Sequence, residues 1–319
     1  MKRRQQRGAA SLAAMLTVVL VAALAASALW QQWRAVEVEA AERSRTQAAW
    51  VLTGALDWAR LILREDARKG GSDHLGEPWA VPLEQARLST FLAADRSDAL
   101  AVDETPEAFL SGQILDLQAR LNVTNLVQGG KIDEPSRLAF ARLFELLSLP
   151  ASELALMIDN LRLMQNTSAD VQANSAVPLS PREPDQLTWL GLSPSTIASL
   201  HPFITVLPIP TPVNLNTAPV EVVYACVEAF EMGDATRFVR ARSLSPLTTL
   251  ADASKIAGDG AARFTEGQHS VATRFFEVRG SLQVEQTTVQ ERSVVQRDGI
   301  EVKVLWRKRG VMPPGAPLQ

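Results

Sequence analysis

The sequence predicts an α+β protein, and three observations carry that prediction. An uncharged apolar run from Gly8 to Trp30 opens the chain, helical periodicity dominates from Asp133 to Leu250, and strand periodicity takes over after Phe276. The 319 residues are enough for two ordinary domains beyond the first helix. Apolar residues make up 46% and charged ones 21%, a globular mix that excludes a wholly disordered chain. The net charge of -3 gives no global basic field of the kind that marks nucleic-acid binders. Cys226 is the single cysteine, so no intrachain disulfide forms, and its apolar helical surroundings favour packing over catalysis.

The first helix follows from its length and flanks. From Ala9 to Trp30, at 1.5 Å per residue, the run matches the roughly 30 Å hydrocarbon core of a bilayer. Lys2, Arg3, Arg4 and Arg7 precede it, which places the N-terminus in the cytoplasm and the remainder outside a bacterial inner membrane. Ala26-Ser27-Ala28 fits a signal-peptidase pattern that would leave Leu29 as the mature N-terminus, but the apolar run is longer than a signal-peptide core. The boundary Arg7-Gly8-Ala9 instead resembles the class III leader of type IV pilins and pseudopilins. That resemblance implies cleavage between Gly8 and Ala9 and an N-methylated Ala9. Most such subunits carry Glu at the fifth mature position, where this chain has Ala13. A buried carboxylate needs a partner, in the family the amine of the subunit above, so Ala13 points to a subunit with nothing above it.

Residues 31–70 continue the helix, being free of proline and rich in Ala, Arg, Glu and Leu. Trp50, Leu52, Leu56, Ala59 and Leu63 form the expected packing stripe, and Gly70-Gly71-Ser72 the stop. Residues 72–112 are loop-rich, with a short helix expected around Leu83–Ala94, and alternation favours a strand over 113–121. Amphipathic helices are expected at 138–147 and 153–161, a surface loop at 165–186, and short helices at 188–192 and 194–201. Residues 207–213 are extended by their prolines. Further helices are expected at 220–231, 235–241 and 247–257. Three strands close the chain: around Phe276–Val284, Thr287–Val295, and Ile300, Val302, Val304 and Trp306 on one face. Asp298-Gly299 signals a primed hairpin turn. The last residues, 310–319, read as a frayed tail.

Two phrases echo each other. Leu121-Asn122-Val123-Thr124-Asn125-Leu126 and Val213-Asn214-Leu215-Asn216-Thr217-Ala218 each precede a helical region, and their side chains suit helix caps and loop braces. The stretch from Ile114 to Leu126, with Asp116, Arg120, Asn122 and Asn125, resembles a signature of the K-type minor pseudopilin of type II secretion, although Thr124 takes its second Asn position. Asn214, Asn216 and Thr217 are similar to that family's second signature. The resemblance implies a transmembrane helix at 9–30 behind a cleaved leader at 1–8, and a spine continuation at 31–70. It further implies a pilin-like α/β domain with an antiparallel meander at 71–124 and 265–309, and an all-α inserted domain at 125–264. It also implies a tip position on a periplasmic pseudopilus, with I- and J-type minor pseudopilins, the prepilin peptidase and the inner membrane as partners, and no nucleic acid. Some relatives bind calcium. Asp170, Asn174, Glu183 and Asp185 supply oxygens, but without EF-hand spacing they read as solvated loop charge, and no ligands are assigned.

Enzyme chemistry has little footing. No Gly-x-Ser-x-Gly, phosphate loop or His-Glu-x-x-His is present, and His74, His201 and His269 lack metal-ligand spacing. The alternative from another class is DNA uptake, because Asn214–Glu221 also resembles the opening of a helix-hairpin-helix module. Such a module needs a glycine-rich, basic hairpin, whereas Glu231-Met232-Gly233-Asp234 supplies acids.

Overall fold

In a computed structural model, residues 6–88, 107–165, 177–258, 264–284 and 287–312 are described. Helix α1 runs unbroken from Gln6 to Lys69. It buries Ala48, Leu52, Leu56, Ala59 and Leu63 at spacings of three and four residues, so one face meets the sheet. Trp50 departs from the expected stripe: two residues from Leu52, it points to the opposite side and is 74% exposed.

The sheet under α1 comprises β1 (Leu83–Arg87), β2 (Ala108–Asp116), β9 (Phe275–Val284), β10 (Thr287–Asp298) and β11 (Glu301–Met312), all antiparallel in the order β1-β2-β9-β10-β11. The helix expected from Leu83 is therefore a strand over its first five residues, because β2 offers an open edge and tertiary pairing overrides propensity. Residues 89–94 of that expectation lie outside the described residues. The strand expected over 113–121 starts earlier and stops at Asp116. There the Asp116 carboxylate accepts from the Gln118 N–H and winds Leu117–Ala119 into a 3₁₀ turn.

The meander forms as expected, with two corrections. Asp298 pairs with Glu301, so Gly299 and Ile300 make the turn, with positive φ at Gly299 alone as a type II′ turn requires. Between Val294 and Val295 the register with β11 slips by one residue, a bulge at Leu305 that sends Trp306 to the face opposite Val302 and Val304. Trp306 there packs on Leu117, Leu207, Phe275 and Val294. Strand β11 also continues to Met312, beyond where the tail was expected to begin; residues 313–319 lie outside the described residues.

Between β2 and β9 the chain forms a second core from helices α2 (Glu134–Leu146), α3 (Ala151–Gln165), α4 (Pro194–Leu200), α5 (Val220–Cys226), α6 (Met232–Leu244) and α7 (Leu250–Ala257). Residues 184–190 are 3₁₀ where a short α-helix was expected over 188–192. The expected loop at 165–186 falls largely outside the described residues. Helix α5 stops at Cys226, short of the expected Glu231, where Arg142 donates to the Val227 and Phe230 carbonyls. Two short parallel pairs tie this region together: β3 (Leu121–Asn122) to β6 (Ile204–Thr205), and β7 (Val213–Asn214) to β8 (His269–Ser270).

Helix α1 sits close to the sheet because Gly112 and Gly280 face each other across β2 and β9. A Cβ on Gly112 would lie 2.9 Å from the Arg279 carbonyl, and one on Gly280 3.2 Å from Leu52 Cδ2. Gly280→Val should therefore cost about 1–3 kcal/mol of unfolding free energy by overpacking, read from the urea midpoint of the detergent-solubilised chain. Gly310→Val, with nothing within 4 Å, is the neutral comparison; equal midpoints would show that α1 does not seat on Gly280.

Candidate functional site

The two Asn/Thr phrases meet through the segment between them. Residues 207–212 contain Pro208, Pro210 and Pro212, which have no N–H, and belong to no sheet. Side chains of the first phrase, with Gln118 just before it, take up six of their remaining backbone groups. Asn122 Oδ1 accepts from the Leu207 N–H at 3.1 Å, and Asn122 Nδ2 donates to the Ile209 carbonyl at 2.9 Å and to Thr211 Oγ1 at 3.1 Å. Thr124 donates to the Leu207 carbonyl at 2.6 Å. Asn125 grips Thr211 twice, donating to its carbonyl at 2.7 Å and accepting from its N–H at 2.9 Å. Gln118 Nε2 donates to the Pro212 carbonyl at 3.0 Å. Asn122 also accepts from the Thr124 N–H at 3.1 Å, capping the next 3₁₀ turn, so its amide is fully used.

The second phrase is built the same way. Asn216 donates to and accepts from Leu247 at 2.9 Å each, pinning the loop before α7, while Asn214 Oδ1 accepts from the Asn216 N–H at 3.0 Å. Arg242, buried on α6, donates to the Leu215 and Ala218 carbonyls. Burial brings its pKa down to about 10, so it still carries its charge at neutral pH.

Asp116 joins the phrases to the sheet. Its Oδ2 accepts from Thr217 Oγ1 at 2.6 Å and from Asn214 Nδ2 at 2.9 Å. Burial pushes this carboxyl up, against the pull of its Thr, Asn and backbone donors. Asn214 Nδ2 also donates to the Asp73 carbonyl at 3.1 Å, bringing in the loop after α1. The Asp73 carboxylate accepts from the Thr273 N–H at 2.7 Å and from Arg297 at 2.5 Å, and Arg297 reaches Asp66 of α1 at 2.6 Å while lying 4.9 Å over the Phe276 ring. Burial raises the Asp73 carboxyl, and Arg297 opposes that rise. Spine helix, sheet, hairpin and helical core thus converge on one hydrogen-bonded junction.

Asp116, Asn122, Asn125, Asn214, Asn216 and Thr217 all fall in or beside this junction, whereas Gly8, Ala9 and Ala13 lie on α1 far along the chain. Sequence reasoning missed Asp66, Asp73, Thr211 and Arg297. Gln118 had a signal in its place within the Ile114–Leu126 stretch. Asp66, Asp73 and Glu77 bring carboxylate oxygens within 4.8 Å of one another and could hold a metal ion. Arg297 already bonds the first two, and Glu77 accepts from the His74 N–H and Trp79 Nε1, so a guanidinium stands where a cation would sit. Glu183 pairs with Lys308 at 3.0 Å and Asp185 is exposed; Asp170 and Asn174 lie outside the described residues.

No nucleophile and base converge among the described residues. Burial pushes the Cys226 thiol up to about 12, and His269 Nε2 lies 3.2 Å from the Cys226 carbonyl while its Nδ1 accepts from the Thr265 N–H.

Three comparisons bear on this arrangement. The family described as type II secretion system (T2SS), protein K, matches residues 119–209, a stretch that holds the first phrase and ends within the proline segment. The type II secretion system protein K of Pseudomonas aeruginosa is 27% identical over 331 residues, covering 97% of this chain and 94% of that protein. A chain in the crystal structure of the GspK-GspI-GspJ complex from the type 2 secretion system of enterotoxigenic Escherichia coli superposes with a TM-score of 0.60. At 17% identity it covers 85% of this chain and 98% of its own length, a likeness of fold.

Removing one partner of a buried ion pair leaves an uncompensated charge. Arg297→Met should therefore lower stability by about 3–5 kcal/mol at neutral pH, against about 0–1 kcal/mol for Arg274→Met, whose pair with Asp298 is half exposed. Losing Arg297 raises the Asp73 carboxyl further. A raised folded-state pKa gives stability present at low pH and lost as pH rises through it. The Arg297→Met deficit should accordingly shrink as pH falls toward the ordinary carboxylate pKa. Denaturant midpoints across pH test this, and a pH-independent deficit would contradict it.

Proposed function

Because the chain belongs to the family of type II secretion system protein K, we propose that it caps or initiates the tip of a pseudopilus together with I- and J-type minor pseudopilins. The family is structural, and the work of this chain is assembly in support of protein export across the outer membrane. The observation that carries the reading is the junction at Asp116: it locks a bulky helical core onto the sheet at the end of a single 64-residue helix. A body of that size on a spine helix suits the end of a filament better than its repeating shaft. The GspK chain of the solved neighbour is in complex with GspI and GspJ, and that pairing is carried over to this chain as part of the proposal.

The membrane side of the proposal rests on α1, the described helix long and apolar enough to cross a bilayer, whose apolar part packs on nothing among the described residues. Lys2, Arg3, Arg4 and Arg7 orient it with the N-terminus in the cytoplasm and the folded part in the periplasm. The prepilin peptidase cuts between Gly8 and Ala9, Ala9 becomes the methylated N-terminus, and Ala13 leaves the fifth mature position without a carboxylate. A metal ion at Asp66, Asp73 and Glu77 would have to displace Arg297 from the first two, no calcium ligands are assigned, and the tip role does not depend on calcium. The DNA-uptake alternative meets Glu228, Glu231 and Asp234 around the turn between α5 and α6, charges that repel phosphate.

The processing step supplies the experiment. Gly8 has no side chain to obstruct a peptidase cleft, so Gly8→Val should leave an unprocessed, membrane-bound precursor, while the wild type sequences from Ala9. A mature N-terminus at Leu29 would mean ordinary signal-peptide cleavage and would remove the anchor on which the tip reading depends.

A further inference from the structure

We infer that Arg120 and His201 seat a small oxyanion between the sheet and the helical core, beside the arginines of β9 and β10. The seat belongs to the folded part and stands whether or not the chain caps a filament. Within the stretch from Ile114 to Leu126, the side chains of Asp116, Gln118, Asn122, Thr124 and Asn125 are all spent on the junction. That of Arg120 is not. Arg120 is partly buried, in extended backbone between the 3₁₀ turn and β3, and its guanidinium makes no hydrogen bond or ion pair among the described residues. His201 is brought near because Leu121 donates its N–H to the Phe203 carbonyl at 2.9 Å and pairs with Ile204. The His201 imidazole is also partly buried and makes no hydrogen bond among the described residues.

The surroundings supply cations and commit their carboxylates elsewhere. In the β9–β10 register Arg279 lies directly opposite Arg292, a like-charge pair that costs stability unless an anion intervenes. Glu277 is that anion: Arg292 donates to both of its oxygens at 3.2 Å, and Arg279 donates to Oε1. Asp116 accepts from Thr217, Asn214 and the Gln118 N–H, Glu183 is paired with Lys308, and Asp185 is exposed. Burial opposes the Arg120 charge; Glu277 and Asp116 support it, while Arg279 and Arg292 add to the opposition. Burial also holds the His201 imidazole below its ordinary value, and Arg120 and Arg292 press it the same way against Asp185 and Glu277. One bound oxyanion would favour the charge on both side chains. The guanidinium fork fits two oxygens of a carboxylate or a sulfate, and the imidazole adds an N–H donor.

The test follows the His201 imidazole by NMR in the full-length, detergent-solubilised chain, its signal assigned by loss in His201→Gln. Sodium sulfate, at the ionic strength of a sodium chloride control, should raise the His201 pKa by about one pH unit. His269, held by the Cys226 carbonyl and the Thr265 N–H, should not move. Arg120→Met should abolish the sulfate response. Arg120→Lys, which keeps the charge without the fork, should need about tenfold more sulfate for the same rise. A polyglutamate peptide separates the two sources of the anion. A response at lower concentration than sulfate marks a carboxylate carried by a protein partner, and one at higher concentration marks a free inorganic anion. A His201 pKa indifferent to both anions, or an equal response in Arg120→Met, would overturn the seat. Should Arg120→Met fail to fold, an unchanged sulfate requirement in Arg120→Lys would do the same.

Discussion

A stretch of backbone without regular structure, residues 207–212, has to cross between the two halves of this molecule with its polar groups still bonded. Leu207 sits in the apolar cluster beneath the sheet, and Val213, at the end of the crossing, belongs to the helical core. Three prolines remove donors along the way and hold the chain extended. Of what remains, both polar groups of Leu207 and Thr211 and the carbonyls of Ile209 and Pro212 are bonded by Asn122, Thr124, Asn125 and Gln118, each placed by the short elements that follow β2. Once that crossing is fixed, Asn214 arrives beside Asp116 and the helices have only one way to sit on the sheet.

Charge inside the protein is handled by two physical routes. Asp116 is surrounded by neutral donors, which favour its charged form against the burial that opposes it. Glu277 and Glu291 instead sit among arginines. Burial opposes the Glu277 charge, but Arg279 and Arg292 hold its carboxyl below the usual range, and Glu291 accepts from Arg307 at 2.7 Å and Arg309 at 2.9 Å. Glu277 and Glu291 face opposite sides of the sheet, so each face carries a buried pair that penalises slippage of β10 by a single residue. These pairs specify arrangement more than they add stability.

Much of this was legible in the sequence, and what was not has identifiable causes. The helical spine, the meander and the turn at Gly299 follow from periods and turn chemistry that act within about ten residues. The bracing role of Asn122 and Asn214 could be read from residue type, since amides beside helix starts have few other uses. Their partners could not: Thr211 lies 86 residues from Asn125, and Arg297 lies 224 from Asp73. An aspartate after two glycines and an arginine before a hairpin turn look like ordinary surface charges until the fold brings them together. Trp306 was placed on the wrong face for a related reason. A bulge is a property of the pairing between strands, and a period counted along one strand cannot contain it.

The unbroken course of α1 has a mechanical consequence. A helix without proline ties rotation to height: each residue between the bilayer and Ala48 contributes about 1.5 Å of rise and about 100° of turn. The azimuth of the helical core about the axis of α1 is thus set by the number of residues from Gln31 to Arg43, the exposed stretch, as firmly as its altitude. Deleting one residue from that shaft would leave every internal contact of the folded part intact and swing its bulk by more than a quarter turn. The shaft therefore acts as an angular gauge, and its length is constrained by direction more tightly than by distance.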